Sequence, residues 1–209
     1  MNKKPIYLNI FVVLLLAGAH IGSYYLINYP MRFSFWSMIK ESQVKYLGAI
    51  LAGTALITYL ISNILIKNLS FKRKFIRIFL ILNSIILMVI VYHSVRTFMT
   101  TQKEISQAEH EYIKQAEKDI KNDSVIIKYS GGFSLPQYDQ KTTRKIDSIY
   151  KKYGIMYKNT GCIIDLVDNE AQKKYEETVK PYLEKRNGTG WEIKMKKEIS
   201  NIKKSYPYK

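Results

Sequence analysis

Residues 75–95 read FIRIFLILNSIILMVIVYHSV, a run in which Arg77 is the only charge. A bilayer core about 30 Å thick takes roughly 20 helical residues to cross, so this run is long enough to span it. Two further runs precede it, Ile6–Asn28 and Tyr46–Ile66, and neither contains Lys, Arg, Asp or Glu. No comparable run follows residue 100. The expected fold is a three-helix transmembrane anchor (residues 1–98, spans near 6–28, 46–66 and 75–95), a linker helix (99–122) and a small soluble α+β domain (123–209) in the order strand, helix, strand, helix.

Charge divides at the same place. Residues 1–100 hold 11 Lys and Arg against one acid, Glu41, whereas residues 101–209 hold 22 against 16. Most of the basic surplus thus flanks apolar runs, where Lys and Arg set orientation and meet anionic lipid. Nucleic acid is not an expected partner, since no basic-aromatic motif accompanies the charge. The denser clusters are Lys3 and Lys4 at the N-terminus and Lys67, Lys72, Arg73 and Lys74 in the second loop. The positive-inside rule puts these two on the cytoplasmic side and the C-terminal domain outside. Residues 1–19 also resemble a signal peptide ending at Ala17-Gly18-Ala19. Cleavage there leaves two spans and again exports the C-terminus. The expected location is the inner (plasma) membrane.

Within the spans, His20, Asn63, Asn83, Ser84 and His93 are the polar candidates. Intramembrane ionisable groups are functional candidates; the plainer reading gives His20 one interhelical hydrogen bond and leaves His93 at the interface. Gly18 and Gly22, and then Gly48, Ala49, Ala52 and Gly53, form small-residue faces through which helices are expected to pack. Tyr24, Tyr25, Tyr29, Phe33, Phe35 and Trp36 group as headgroup anchors.

In the exported part, Thr101-Gln-Lys-Glu104 has the form of a capping box opening the linker helix. Ser124–Tyr129 is expected as a strand, and Ser130-Gly131-Gly132-Phe133-Ser134 as the loop after it. A helix closed by Gly154 follows, then a bulged strand or two short ones over Ile155–Leu166. Asp168 is expected to cap a third helix kinked at Pro181 and ended by Gly188, with a basic segment over 191–204 that is either a tail or a frayed helix. A strand–helix–strand unit in one sheet is normally parallel, and ligands in such sheets sit beyond the carboxyl ends of the strands. The loop 130–134 is therefore the candidate ligand loop, its glycines offering amides to an anion; the alternative is a plain turn.

The stretch Ile149-Tyr150-Lys151-Lys152-Tyr153-Gly154-Ile155 resembles the segment that names the FEKKY-domain proteins, a bacterial family. Asn159-Thr160-Gly161-Cys162 and Leu183-Glu184-Lys185-Arg186-Asn187-Gly188-Thr189-Gly190-Trp191 carry the likeness on, so that it covers roughly residues 123–192. Ile149 and Tyr150 stand where the name motif has Phe and Glu. The resemblance implies a domain and a bacterial origin, and no activity.

Cys162 is the single cysteine. A thiolate nucleophile needs a base and a lowered pKa; followed by Ile163 and Ile164, the thiol is expected as a buried apolar group. No metal-ligating or phosphate-binding motif occurs, and no cofactor or metal is expected. The expected function is a membrane-anchored, non-enzymatic binding or interaction module. Two alternatives stand beside it: an exported enzyme using Gly131–Ser134 with Cys162, and a membrane immunity or accessory protein. Its partners are expected to be the lipid bilayer and, as an open possibility, another membrane or periplasmic protein.

Overall fold

A computed structural model of the chain describes residues 4–64, 70–130, 132, 138–161 and 165–205. It is mostly helical and divides into two compact units, 1–102 and 103–209. The elements are α1 (Lys4–Ile27), α2 (Phe35–Glu41), α3 (Lys45–Ser62), α4 (Phe71–Lys121), β1 (Val125–Tyr129), α5 (Gln140–Lys152), β2 (Ile155–Asn159), α6 (Leu166–Asn187) and α7 (Trp191–Ser205).

In the first unit, α1, α3 and α4 are long and apolar enough to cross a membrane. Their large apolar side chains point outward: Leu14 is 66% exposed, Leu56 61% and Met88 63%. They bury Val12, Leu16 and Leu47 together with a set of polar groups. Thr54, Thr58 and Ser62, one turn apart on α3, are buried, as are Asn83 and Ser94 of α4. Asn83 Nδ2 donates to the Phe79 carbonyl at 2.8 Å, and Asn9 Nδ2 reaches from α1 to the Ile76 carbonyl of α4 at 3.1 Å. Buried Lys74 donates to the Ile64 carbonyl. The expected glycine faces are not the packing faces: a Cβ built on Gly18, Gly22, Gly48 or Gly53 meets nothing within 4 Å. Between helices that cross a bilayer, apolar side chains gain little by leaving lipid, and here hydroxyl and amide groups share the buried positions with Val12, Leu16 and Leu47. His20 Nε2 lies 2.9 Å from the Ser42 carbonyl, the C-cap of α2.

The expected capping box does not open a helix. α4 continues through Thr101 and Glu104 to Lys121, because residues 96–100 contain no Gly or Pro and every amide there already has a carbonyl four residues back. The linker helix 99–122 is the C-terminal part of α4.

In the second unit β1 and β2 pair in parallel with Val125 opposite Ile155 and Tyr129 opposite Asn159. α5 makes the crossover, capped by Asp139, which accepts from Thr142 N at 2.7 Å. A two-stranded sheet is marginal alone, and α6 supports its β1 edge with side chains. Ile126 N donates to the Tyr175 hydroxyl at 2.8 Å, and Gln172 Nε2 donates to the Lys128 carbonyl at 2.7 Å. Ala171, Tyr175, Val179 and Leu183, spaced four apart on α6, form a buried stripe against Val125, Ile155, Trp191, Met195 and Ile199. α6 is capped by Asp165, which accepts from Val167 N and Asp168 N. Asp168 lies in the first turn and is not the cap, because the helix has already begun at Leu166 with Asp165 as its cap; the Asp168 carboxylate accepts from Tyr112 instead. α6 passes through exposed Pro181. Of the expected strand stretch β2 covers Ile155–Asn159, residues 162–164 lie outside the described residues, and the basic tail is a helix, α7.

Candidate functional site

The stretches 149–155 and 183–191 are far apart in sequence, and the fold brings residues of both together around Gly154. Its φ of +72° favours glycine. Arg186, from the end of α6, lies directly over it: a Cβ at Gly154 would stand 2.9 Å from both Cζ and Nε of Arg186. The guanidinium donates to the Lys152 carbonyl at 2.8 Å and, through Nε and Nη2, to the Asp123 carboxylate. Asn187 Nδ2 donates to the Tyr153 carbonyl at 3.0 Å. The Tyr153 hydroxyl donates to Glu198 Oε1 at 2.8 Å, and Lys152 Nζ reaches the same oxygen at 2.9 Å. The buried Trp191 ring lies 6.2 Å from that of Tyr153.

The electrostatics follow these pairings. Hydrogen bonds from Arg186 and then Tyr182 hold the Asp123 carboxyl down at about 2. Lys152, then Tyr153, lowers Glu198, and the Glu198 carboxylate raises Lys152. Every member of this knot is matched to another protein group, so its role is to lock α5, α6 and α7 together. Gly188 caps α6 at a φ of +81°, and Gly190 follows at +74°. Lys151 and Lys185 are exposed.

At the carboxyl ends of the strands, Gly132 N donates to the Gly161 carbonyl at 3.0 Å. Asn159 Nδ2 donates to the Gly132 carbonyl at 3.0 Å, while Asn159 Oδ1 accepts from Gly161 N at 2.9 Å. The one described glycine of the candidate ligand loop is thus engaged with the partner loop and offers no free amide to an anion. Ser130 is exposed. Gly131, Phe133, Ser134 and Cys162 lie outside the described residues.

A third cluster joins α4, β1 and α6. The Tyr112 hydroxyl donates to Asp168 Oδ1 at 2.8 Å, and Lys128 Nζ sits 4.9 Å from the Tyr112 ring centroid. The Tyr175 hydroxyl donates to buried Asp119 at 2.7 Å, whose other oxygen accepts from Gln115 at 2.6 Å. Burial, then the adjoining carboxylates, push both phenols far up, so they stay protonated donors near neutral pH. The sequence carried one sign of this cluster, an acid at 119 between the buried Ala116 and the inward Ile120.

The site with the form of a binding surface is a cleft of about 380 Å³ between α6 and α7. Ile127, Val179, Leu183, Trp191 and Met195 line its apolar part, and Tyr157 stands at its side. Glu176 and Lys180 of α6 and Glu192 and Lys196 of α7 rim it, each pair one turn apart. Among the described residues none of these four enters an ion pair. Apolar lining with a few charged groups at the mouth is the usual composition of a ligand pocket, and the volume falls in the usual range. Sequence periodicity showed the buried stripe of α6 but not this cleft, because it depends on the return of α7 after Gly188. No protein-family model matches the chain, and no curated protein or solved structure matches it.

Proposed function

We propose that this chain is an integral protein of the inner membrane that displays its second unit outside the cytoplasm as a non-enzymatic binding module. The three apolar helices with outward-facing side chains support the anchoring, and the basic clusters at the N-terminus and in the second loop support the orientation. The observation that carries the binding role is the α6–α7 cleft, with an apolar floor and four rim charges that, among the described residues, enter no ion pair. The likeness of residues 123–192 to the FEKKY domain belongs to the same proposal, supported by the meeting of two of its pieces, 149–155 and 183–191, around Gly154.

The test is capture from native membranes with the full chain as bait, beside a chain lacking residues 103–209 and one carrying Lys180→Glu with Lys196→Glu. The proposal expects proteins or ligands retained by the full chain and lost from both variants. Identical retention by all three contradicts it.

A further inference from the structure

A second cleft of about 260 Å³ adjoins the α6–α7 cleft, with Tyr157, Met195 and Lys196 lining both, and it runs along α7 past Ile199 to Lys203. From Trp191 to Lys203 is about 18 Å of helix at 1.5 Å per residue. Along this path the chemistry changes. The first cleft is floored by buried Val179, Leu183, Trp191 and Met195. Among the described residues, the charges lining the second are Lys196 and Lys203, beside the Ser200 hydroxyl. Lys203 Nζ is held 5.5 Å from the Tyr138 ring centroid, and among the described residues neither lysine has a carboxylate within ion-pair distance. Protein interiors leave few voids larger than a water, so a large apolar recess leading to two uncompensated cations has the polarity of a particular guest.

We propose that the two clefts together bind a single-chain amphiphile with an anionic head, the chain over the Trp191 floor and the head at Lys196 and Lys203. This inference rests on the cleft being the binding surface named above and adds the class of its ligand. Charge complementarity selects the head: an ammonium faces two cations there, and an uncharged alcohol leaves both unpaired. The apolar floor selects the chain, each buried methylene strengthening binding by about fourfold.

The chain has two tryptophans, Trp36 and Trp191, so Trp36→Phe leaves Trp191 as the sole emitter. The full chain in lipid nanodiscs is titrated with 11-bromoundecanoate, whose bromine quenches indole on contact, and in parallel with 11-bromoundecanol. The expected result is saturable quenching by the acid. Binding of the alcohol should be at least tenfold weaker. Lys196→Glu with Lys203→Glu, both on exposed positions of α7, should weaken the acid at least tenfold while leaving unquenched Trp191 emission unchanged. Linear, non-saturating quenching, equal response to acid and alcohol, or indifference to charge reversal each overturns the inference. Capture that depends on the rim charges without saturable quenching leaves the cleft as a binding surface and removes the amphiphile; failure of both removes the cleft as well.

Discussion

Gly154→Ala separates two contributions that the structure places at one residue. The φ of +72° is the left-handed region, which costs a side-chain-bearing residue about 1–2 kcal/mol. The new methyl would also stand 2.9 Å from Arg186 Cζ and Nε, closer than any contact atoms tolerate, so the guanidinium must move. Moving it breaks the 2.8 Å bond to the Lys152 carbonyl. A hydrogen bond to a charged group is worth about 1.5–3 kcal/mol; the Arg186 side chain is 25% exposed, which places the loss at the low end. Gly154→Ala should therefore cost about 2.5–3.5 kcal/mol in total. In an Arg186→Ala background only the backbone part remains, about 1–2 kcal/mol. Urea unfolding of the fragment 101–209, run as a double-mutant cycle, measures the difference as a coupling of about 1.5 kcal/mol. Equal costs in the two backgrounds would refute the claim that Arg186 is seated on Gly154.

Trp191→Ala removes a buried indole packed beside Tyr153 and should cost about 3–5 kcal/mol in the same assay; a loss under about 0.5 kcal/mol, the scale of a surface change, would mean the ring is not in the core. Tyr175→Phe leaves the Ile126 amide and buried Asp119 without their shared partner and should destabilise by about 1–3 kcal/mol, read from the unfolding midpoint; a neutral result would show that α6 does not support the sheet edge. Asp123, held at about 2 against an ordinary 3.8, contributes stability that is fully present above about pH 4 and is lost as pH falls toward 2. Melting temperature against pH should accordingly fall below pH 4, and Asp123→Asn should flatten that part of the curve; an unchanged slope would contradict the pairing with Arg186.

Local pattern revealed the helices and strands because their signals are local. The apolar runs set α1, α3 and the first part of α4, the β-branched stretch at 125–129 set β1, and a spacing of four set the buried face of α6. Two misreadings share a cause. Thr101–Glu104 has the side chains of a helix start, and Asp168 those of a cap, but capping needs a backbone amide with no carbonyl behind it. At Thr101 the helix is already running, and at Asp168 the cap is Asp165. The glycine faces of α1 and α3 failed for a different reason: small residues permit close approach without driving it, and the buried positions are held by Val12, Leu16 and Leu47 with the hydroxyl and amide groups of α3 and α4. The site was the least legible part. The Gly154–Arg186 contact joins residues 32 positions apart, and the cleft depends on a chain reversal at Gly188 whose direction no local pattern records.

The account depends most on where the second unit lies, and a pair of C-terminal fusions measures that directly. Alkaline phosphatase fused after Lys209 should be active and a green fluorescent fusion at the same point dark in bacterial cells, because the basic clusters hold the N-terminus and the second loop inside. A dark phosphatase with a bright fluorescent fusion would place residues 103–209 in the cytoplasm and contradict the proposal of a module displayed outside it.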